Sequence, residues 1–363
     1  MAAALSELPT SVMVRLDCRN LRSSAAHADQ RAAVHIRPMN DRELLLRLAP
    51  APCTGSVLAR EFGLTRAAVW KHIHSLREAG IDILARPGTG YVLAAAPDLL
   101  DASRIRNLLA PAVATRLVTL DVAWDIDSTN SELLRRPVSS GVQVLLAERQ
   151  SAGRGRRGRS WASPLAAHLY LSLQRRFDGG VAALAGLSIA VGVAAAETLR
   201  AFGFAEVGLK WPNDLLVGER KLGGILIEFG GEDAGVVRAV IGIGINVRMP
   251  AAAATTIDQP WADLCQLDAP LPSRNTLAAA LIDAQVRALE QFADAGLAPF
   301  LPRWRALDAL RGRAIEVIAG TRREQGIALG IADSGALRVR HTDGERDYHS
   351  AEISVRPAPG PSA

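Results

Sequence analysis

The period of the apolar positions changes three times along this chain, and each change marks a boundary. Residues 1–40 hold no sustained period, only scattered arginines and small residues, and read as a flexible extension or a mis-assigned start. From Asp41 to Leu48 the leucines recur at helical spacing, and Gly55–Phe62 repeats the pattern after a break. Gly63-Leu64 makes a turn and Thr65 caps a third helix, with Val69, Ile73 and Leu76 on one face and Gly80 ending it. Ile81–Leu84 and Tyr91–Leu93 then alternate like strands around Pro87-Gly88-Thr89-Gly90. Three short helices and a hairpin over 41–97 predict a winged helix-turn-helix.

Residues 98–308 switch between the two periods. Strands are expected at Asp121–Ile126, Val142–Ala147, His168–Gln174, Leu209–Val217, Leu222–Glu228 and Val236–Val247, and helices at Thr129–Arg135 and Val181–Phe202. That alternation predicts an α/β core with a mixed sheet. Residues 309–357 carry five short strands separated by Gly320, Asp333-Ser334-Gly335 and Asp343-Gly344, the pattern of a small SH3-like barrel, with 358–363 as a tail.

Composition narrows the class. Nearly half the residues are hydrophobic, enough for real cores in two or three domains. Cys18, Cys53 and Cys265 are far apart and lack metal-ligand spacing, which points to a reducing cytoplasm rather than a disulfide frame. No signal peptide is apparent. The apolar run Val181–Ala196 is shorter than the ~20 residues a membrane span needs, and reads as a buried helix. Of 42 basic side chains only Lys71, Lys210 and Lys221 are lysine. Where arginine serves almost everywhere, a surviving lysine suggests a site that needs a compact ammonium.

The densest chemistry lies at Gly153–Trp161, GRGRRGRSW. Four arginines and three glycines share nine residues, and no acidic residue occurs between Glu148 and Asp178. Such a loop repels itself unless it closes on an anion, and guanidinium forks match carboxylate and phosphate. Gly153-x4-Gly158 followed by Arg159-Ser160 nearly fits a P-loop, but Pro164 and the alternating His168–Gln174 make the context strand–loop–strand, not strand–loop–helix. Lys210-Trp211-Pro212-Asn213-Asp214 puts a cation, an amide and a carboxylate at a strand end. Lys221-Leu222-Gly223-Gly224 and Gly242-Ile243-Gly244-Ile245-Asn246 follow, with glycines that allow close backbone approach.

Taken together, Ser128-Thr129-Asn130, Gln150, GRGRRGRSW, KWPNDL at 210–215, KLGGILIE at 221–228 and GIGIN at 242–246 closely resemble the bacterial biotin protein ligases that double as repressors of biotin synthesis. The resemblance spans about residues 41–357 and implies a class II synthetase-like catalytic domain between the helix-turn-helix and the barrel. It implies biotin and ATP as substrates, Mg2+ as a helper ion with ligands unknown, a biotin carboxyl carrier protein as acceptor, operator DNA as partner and a ligand-dependent homodimer, with no membrane.

Residue by residue, the resemblance assigns Ser128, Thr129 and Gln150 to the biotin ring and Asn130 to the biotin/adenylate site. It gives Arg154, Gly155, Arg156 and Trp161 to biotin and its adenylate, and Arg159 to the phosphate side. Lys221 falls near the biotin carboxylate and α-phosphate, with Lys210 and Asp214 beside it as catalytic groups. Gly242, Gly244, Asn246 and Trp261 complete the ligand set. On the helix-turn-helix, Thr65, Arg66, Ala67, Trp70, Lys71 and His74, with Arg86 on the wing, form the expected DNA face. Blander readings stand beside these: Ser128 as a helix cap, Trp161 and Trp211 as core aromatics, Asn213-Asp214 as a turn. Two rival functions also remain, a ligand-sensing repressor that no longer turns over and a ligase whose helix-turn-helix is only structural.

Overall fold

Asn40 opens the first element with a capping box: its Oδ1 accepts from the Glu43 N–H at 2.9 Å, and Glu43 Oε2 accepts from the Asn40 N–H at 3.2 Å. The computed structural model describes residues 40–233, 235–319, 321–349 and 353–357. The expected extension before Asn40 and the tail at 358–363 lie outside the described residues.

Helices α1 (Asp41–Leu48), α2 (Gly55–Glu61) and α3 (Arg66–Glu78) are followed by the hairpin β1 (Ile83–Arg86) and β2 (Gly90–Leu93). Thr65 caps α3 by accepting from the Ala68 N–H, and Val69, Ile73 and Leu76 are buried. These meet Leu44, Leu45, Leu48 and Leu58 in one small core. That core is not closed by its own module. Leu165, from the far end of the arginine loop, is buried in it, and Trp124 and Ala166 pack on its rim.

The central region runs α4 (Ala102–Leu108), α5 (Pro111–Ala114), β3 (Leu117–Ala123), α6 (Thr129–Arg135), β4 (Val142–Ala147), β5 (Leu169–Asp178), α7 (Leu187–Ala201), β6 (Val207–Lys210), β7 (Asp214–Val217), β8 (Arg220–Asp233), β9 (Val236–Ile245), α8 (Ala251–Ala254), α9 (Arg274–Ala295) and α10 (Leu301–Leu307). Its seven strands lie in the order β3-β4-β5-β9-β8-β7-β6, with β3 and β4 parallel and the other neighbours antiparallel. Strand β8 outruns β7, which pairs with it only as far as Gly224. Asn213 takes both the N–H and the O of Ile225, and beyond it no described strand pairs with that side of β8, which is an open edge there rather than an edge strand throughout.

Strands β5 and β8 run beyond their expected limits, and three further elements differ. The strand expected at Asp121–Ile126 is β3, which starts earlier and stops at Ala123. Its limits follow its parallel partner β4, and its position at the sheet edge, with Val118 exposed, hides the alternation. The strand expected at Leu209–Val217 is a hairpin, because Pro212 has no N–H to continue a ladder and Lys210 pairs across the turn with Asp214. The helix expected over Val181–Phe202 is a 3-10 turn at Val181–Leu184, then Gly186 at φ 86°, then α7. A side chain at Gly186 would also meet Leu297 Cδ2 at 2.7 Å. By length and composition Val181–Ala201 would pass for a membrane span, but α7 packs in the core against α9 and the sheet.

At the C-terminus β10 (Ala314–Ala319), β11 (Arg322–Ile331), β12 (Leu337–His341), β13 (Gly344–Tyr348) and β14 (Ile353–Pro357) form an antiparallel sheet in the order β13-β12-β11-β10-β14. Among the described residues β13 and β14 do not pair with each other, so the described strands form a five-stranded sheet.

Candidate active site

One cavity of about 1260 Å3 gathers the motifs that the sequence scatters over more than a hundred residues. The β6–β7 turn and the start of β8 build its inner wall. Lys210 and Asp214 are the last pair of the β6–β7 ladder, and their Nζ and Oδ2 lie 2.8 Å apart. Lys221 reaches the other oxygen, Oδ1, also at 2.8 Å. Burial would raise the Asp214 carboxyl, but Lys221 and then Lys210 more than offset it and hold the group below the usual carboxylate range. Asp214 is therefore an anion gripping two ammoniums, and the cluster keeps a net positive charge facing the cavity. Lys221 Nζ also lies 5.5 Å from the centre of a Trp161 ring, a cation–π distance.

The arginine loop forms the outer wall and is folded, not slack. Trp161 N–H donates to Gly153 O at 2.8 Å and Gly155 N–H to Arg159 O at 2.7 Å, around a tight turn at Arg156–Gly158 where Arg157 has φ 59°. Arg154 pairs with Glu228 at 2.8 Å, and Arg156 donates to Asn213 Oδ1 at 3.0 Å. Burial first, then repulsion from Arg157 and Arg159, draw the Arg156 guanidinium below its ordinary value, with Asp214 opposing. It stays charged at neutral pH, so an anion in the cavity would relieve its repulsion. All four arginines line the cavity.

The third side is neutral and hydrogen-bonding. Ser128 is the N-cap of α6, with a long 3.5 Å contact to the Ser131 N–H, and it also lines the cavity. The Thr129 N–H and hydroxyl both donate to Gln150 Oε1, and Gln150 Nε2 donates to Ser163 Oγ. Asn130 donates to Leu226 O and Glu228 Oε2. Its Oδ1 lies 2.6 Å from Ser172 Oγ, which is also 2.7 Å from Thr129 Oγ1; one hydroxyl proton serves one of the two.

The structure brings Ser128, Thr129, Asn130, Gln150, Arg154, Gly155, Arg156, Arg159, Trp161, Lys210, Asp214, Lys221, Gly242 and Gly244 to this cavity. The two glycines also make room for neighbouring side chains. A Cβ at Gly244 would meet the Trp161 ring at 2.7 Å, and one at Gly242 would meet Asn130 Oδ1 at 2.5 Å, so they seat cavity side chains. Asn246 and Trp261 do not line the cavity. Asn246 Nδ2 donates to Ala262 O, and the Pro260–Ala262 segment flanks Lys221 through Lys221 N–H to Pro260 O and Ala262 N–H to Lys221 O. Both brace the lysine's backbone. Trp211 is buried and donates to Gly335 O of the C-terminal sheet, so the core reading fits most of its ring.

Sequence reasoning missed Ser172 and Glu228. On β5 the leucines Leu169, Leu171 and Leu173 were the visible face, while Tyr170, Ser172 and Gln174 alternate with them and are equally buried. A polar period of two opposite an apolar one was the available signal. Among the described residues no group of three or more His, Cys, Asp or Glu side chains could hold a metal ion.

On the N-terminal module Thr65, Arg66, Ala67, Trp70, Lys71, His74 and Arg86 are all exposed. Trp70 stacks on His74, and His74 Nε2 lies 3.3 Å from Glu78.

Comparison with known proteins gives the same three parts. The helix-turn-helix domain family matches residues 42–92, the biotin/lipoate A/B protein ligase family matches 125–246, and the biotin protein ligase C-terminal domain matches 311–356. The bifunctional ligase/repressor BirA proteins of Salmonella typhimurium and Escherichia coli are each 42 % identical over 307 residues, covering 84 % of this chain and 93 % of theirs. The biotin–[acetyl-CoA-carboxylase] ligase of Paracoccus denitrificans is 36 % identical over 235 residues, 62 % of this chain and 96 % of that one. The biotin protein ligase from Aquifex aeolicus in complex with biotin and ATP shares the fold at a TM-score of 0.57 and 24 % identity, covering 66 % of this chain and 100 % of that one. With its three parts in this order and its relatives aligned over nearly their whole length, the chain belongs to the family of bifunctional biotin ligase/repressor proteins.

Proposed function

We propose that this chain activates biotin with ATP to biotinyl-5′-AMP and then transfers the biotinyl group to a lysine of a biotin carboxyl carrier protein. One observation carries the reading: the Lys210–Asp214–Lys221 cluster faces four arginines across a single cavity, next to a neutral Ser128/Thr129/Gln150 end. That charge map suits a ligand with a polar neutral ring at one end and anions at the other.

In the first step a biotin carboxylate oxygen attacks the α-phosphorus, the bond to the bridging oxygen of pyrophosphate breaks, and pyrophosphate leaves. The protein needs no nucleophile of its own. It must hold two anions together and neutralise the charge that builds up between them. Lys221, with Arg156 and Arg159 opposite, is placed to do this, and Asp214 holds the two lysines in position. Mg2+ would enter with the ATP phosphates as part of the substrate. In the second step the acceptor amine attacks the anhydride carbonyl, the acyl C–O bond breaks, AMP leaves, and the amine gives up a proton. Asp214 is the nearest candidate to steer that amine.

The N-terminal module is read as an operator-binding repressor domain, and β8's open edge, where Phe229 is 43 % exposed, as the surface where a two-fold copy pairs once adenylate is bound. The C-terminal sheet is read as an SH3-like barrel, the catalytic domain as class II synthetase-like, and the working compartment as the cytoplasm.

The test is incubation with ATP, Mg2+, labelled biotin and a carrier domain, together with sedimentation with and without biotin plus ATP. Label on the carrier lysine supports the ligase reading, and its absence with intact protein refutes it in favour of a sensor without turnover. A monomer in both sedimentation runs refutes the ligand-dependent dimer.

A further inference from the structure

The recognition-helix face carries one feature that phosphate binding does not explain. Trp70 is 54 % exposed and stacks on His74 with ring centroids 5.1 Å apart and planes 6° from parallel. Its face of α3 is otherwise cationic or small: Arg66 and Lys71 are exposed beside it, Ala67 lies one turn before it, and the first turn holds no acidic residue. The buried residues Val69, Ile73 and Leu76 point the other way, so the indole is not a displaced core side chain. The Trp70 indole N–H has no hydrogen-bond partner among the described residues. Glu78 holds the His74 ring from the following turn, which fixes the pair and places a carboxylate at the far limit of the face.

Large aromatic surface is costly to leave in water. In the major groove the one apolar feature on base edges is the thymine 5-methyl group, while a phosphate oxygen could accept from the indole N–H but offers its apolar faces nothing. Residues 70 and 74 are one turn apart, about 6 Å along the axis, close to two base-pair steps. The flanking cations give this face the charge that nucleic acid requires.

We propose that the Trp70–His74 slab determines operator specificity by packing on the methyl groups of a thymine-containing step, with Arg66 and Lys71 supplying the sequence-independent hold. This rests on the reading of the N-terminal module as a DNA-binding domain, and it names the base feature that the module reads.

The experiment uses the full chain with biotin, ATP and Mg2+, and selects bound duplexes from a random-sequence library. Each thymine of the winning site is then replaced by uracil, which removes only the methyl group. One or two positions should lose about fourfold in affinity per methyl. In Trp70→Ala, thymine and uracil should bind alike at those positions, while Trp70→Leu should keep part of the preference. Lys71→Ala should weaken both forms equally. An unaltered thymine preference in Trp70→Ala, or no uracil effect in the wild-type chain, overturns the proposal while leaving DNA binding intact. If Trp70→Ala changes only the sedimentation of the DNA-free chain, the slab is a protein contact and the proposal fails. If the wild-type chain selects no sequence, both this proposal and the DNA-binding reading fall.

Discussion

The three lysines divide between two regions that handle positive charge in opposite ways. Lys71 stands exposed to water on α3. Lys210 and Lys221 are largely buried and share one carboxylate, Asp214, that is itself inside the protein. On the helix a cation adds a small, salt-screened increment of attraction to a polyanion. In the cavity, low polarity magnifies each charge, so the same residue type becomes indispensable and its partner becomes structural. A cation's worth is set first by where it lies, and inside the cavity by its shape as well.

The largest break of this comparison is expected at Lys221. Lys221→Met should lower biotin-dependent pyrophosphate exchange by a hundredfold or more, on the order of 3 kcal/mol in the transition state. Lys221→Arg should be impaired too, because a planar fork cannot reach Asp214 Oδ1 and keep its place over Trp161. Wild-type exchange in Lys221→Arg would remove the special role of a compact ammonium.

Asp214→Asn should leave two buried ammoniums without their shared anion and lower unfolding stability by about 3 kcal/mol. Lys71→Ala should stay within about 0.5 kcal/mol of wild type. Equal urea midpoints in the two variants would erase the distinction between the regions.

His168 sharpens the picture of the buried side. It is wholly buried, and burial first of all, with Arg274 adding to it, lowers its pKa to about 3. The unfolded chain binds this proton near pH 6.5 and the folded chain does not until about pH 3. Stability should therefore be lost as pH falls through that window, with a slope from this group approaching about 1.4 kcal/mol per pH unit. His168→Gln keeps an acceptor for the Val247 N–H and should flatten that limb in acid titrations of unfolding.

Arg156→Gly should loosen the adenylate roughly tenfold, the loss of one charge-assisted hydrogen bond, and release it to label bystander lysines. Labelling still confined to the carrier domain would show that the loop is not the gate. The smallest effect belongs to the exposed region. Lys71→Ala should reduce operator affinity several-fold and the log–log salt slope by about 1, with ligation unchanged, as read by gel shifts at several salt concentrations.

Much of this was legible before any coordinates. The helices Asp41–Leu48 and Thr129–Arg135 and the strand Val142–Ala147 match the expected limits, because their apolar spacing and caps are local. The four cavity motifs were legible as chemistry, since arginines between glycines and a lysine in an arginine-rich chain are odd wherever they fall. Asn246 and Trp261 show the limit of that reasoning: lying next to a motif does not tell whether a side chain faces the ligand or braces the strand behind it.

What the sequence determined by itself was the order of the three parts, the period of most elements and the identity of the charged groups, all properties of short segments. Only the tertiary structure decided that Lys210 and Lys221 share a single carboxylate, that Gly244 exists to seat Trp161, and that Leu165 completes the core of the N-terminal module. It likewise tied the start of the arginine loop to the segment just before α4. Glu148 accepts from the Leu100 N–H and pairs with Arg274, whose Nε donates to Asp98 O. Apart from the lysine–carboxylate cluster, these contacts join residues far apart in the chain. Distance in space is fixed by packing the sheet, its helices and the small module together, and no local pattern of apolar and polar residues encodes it.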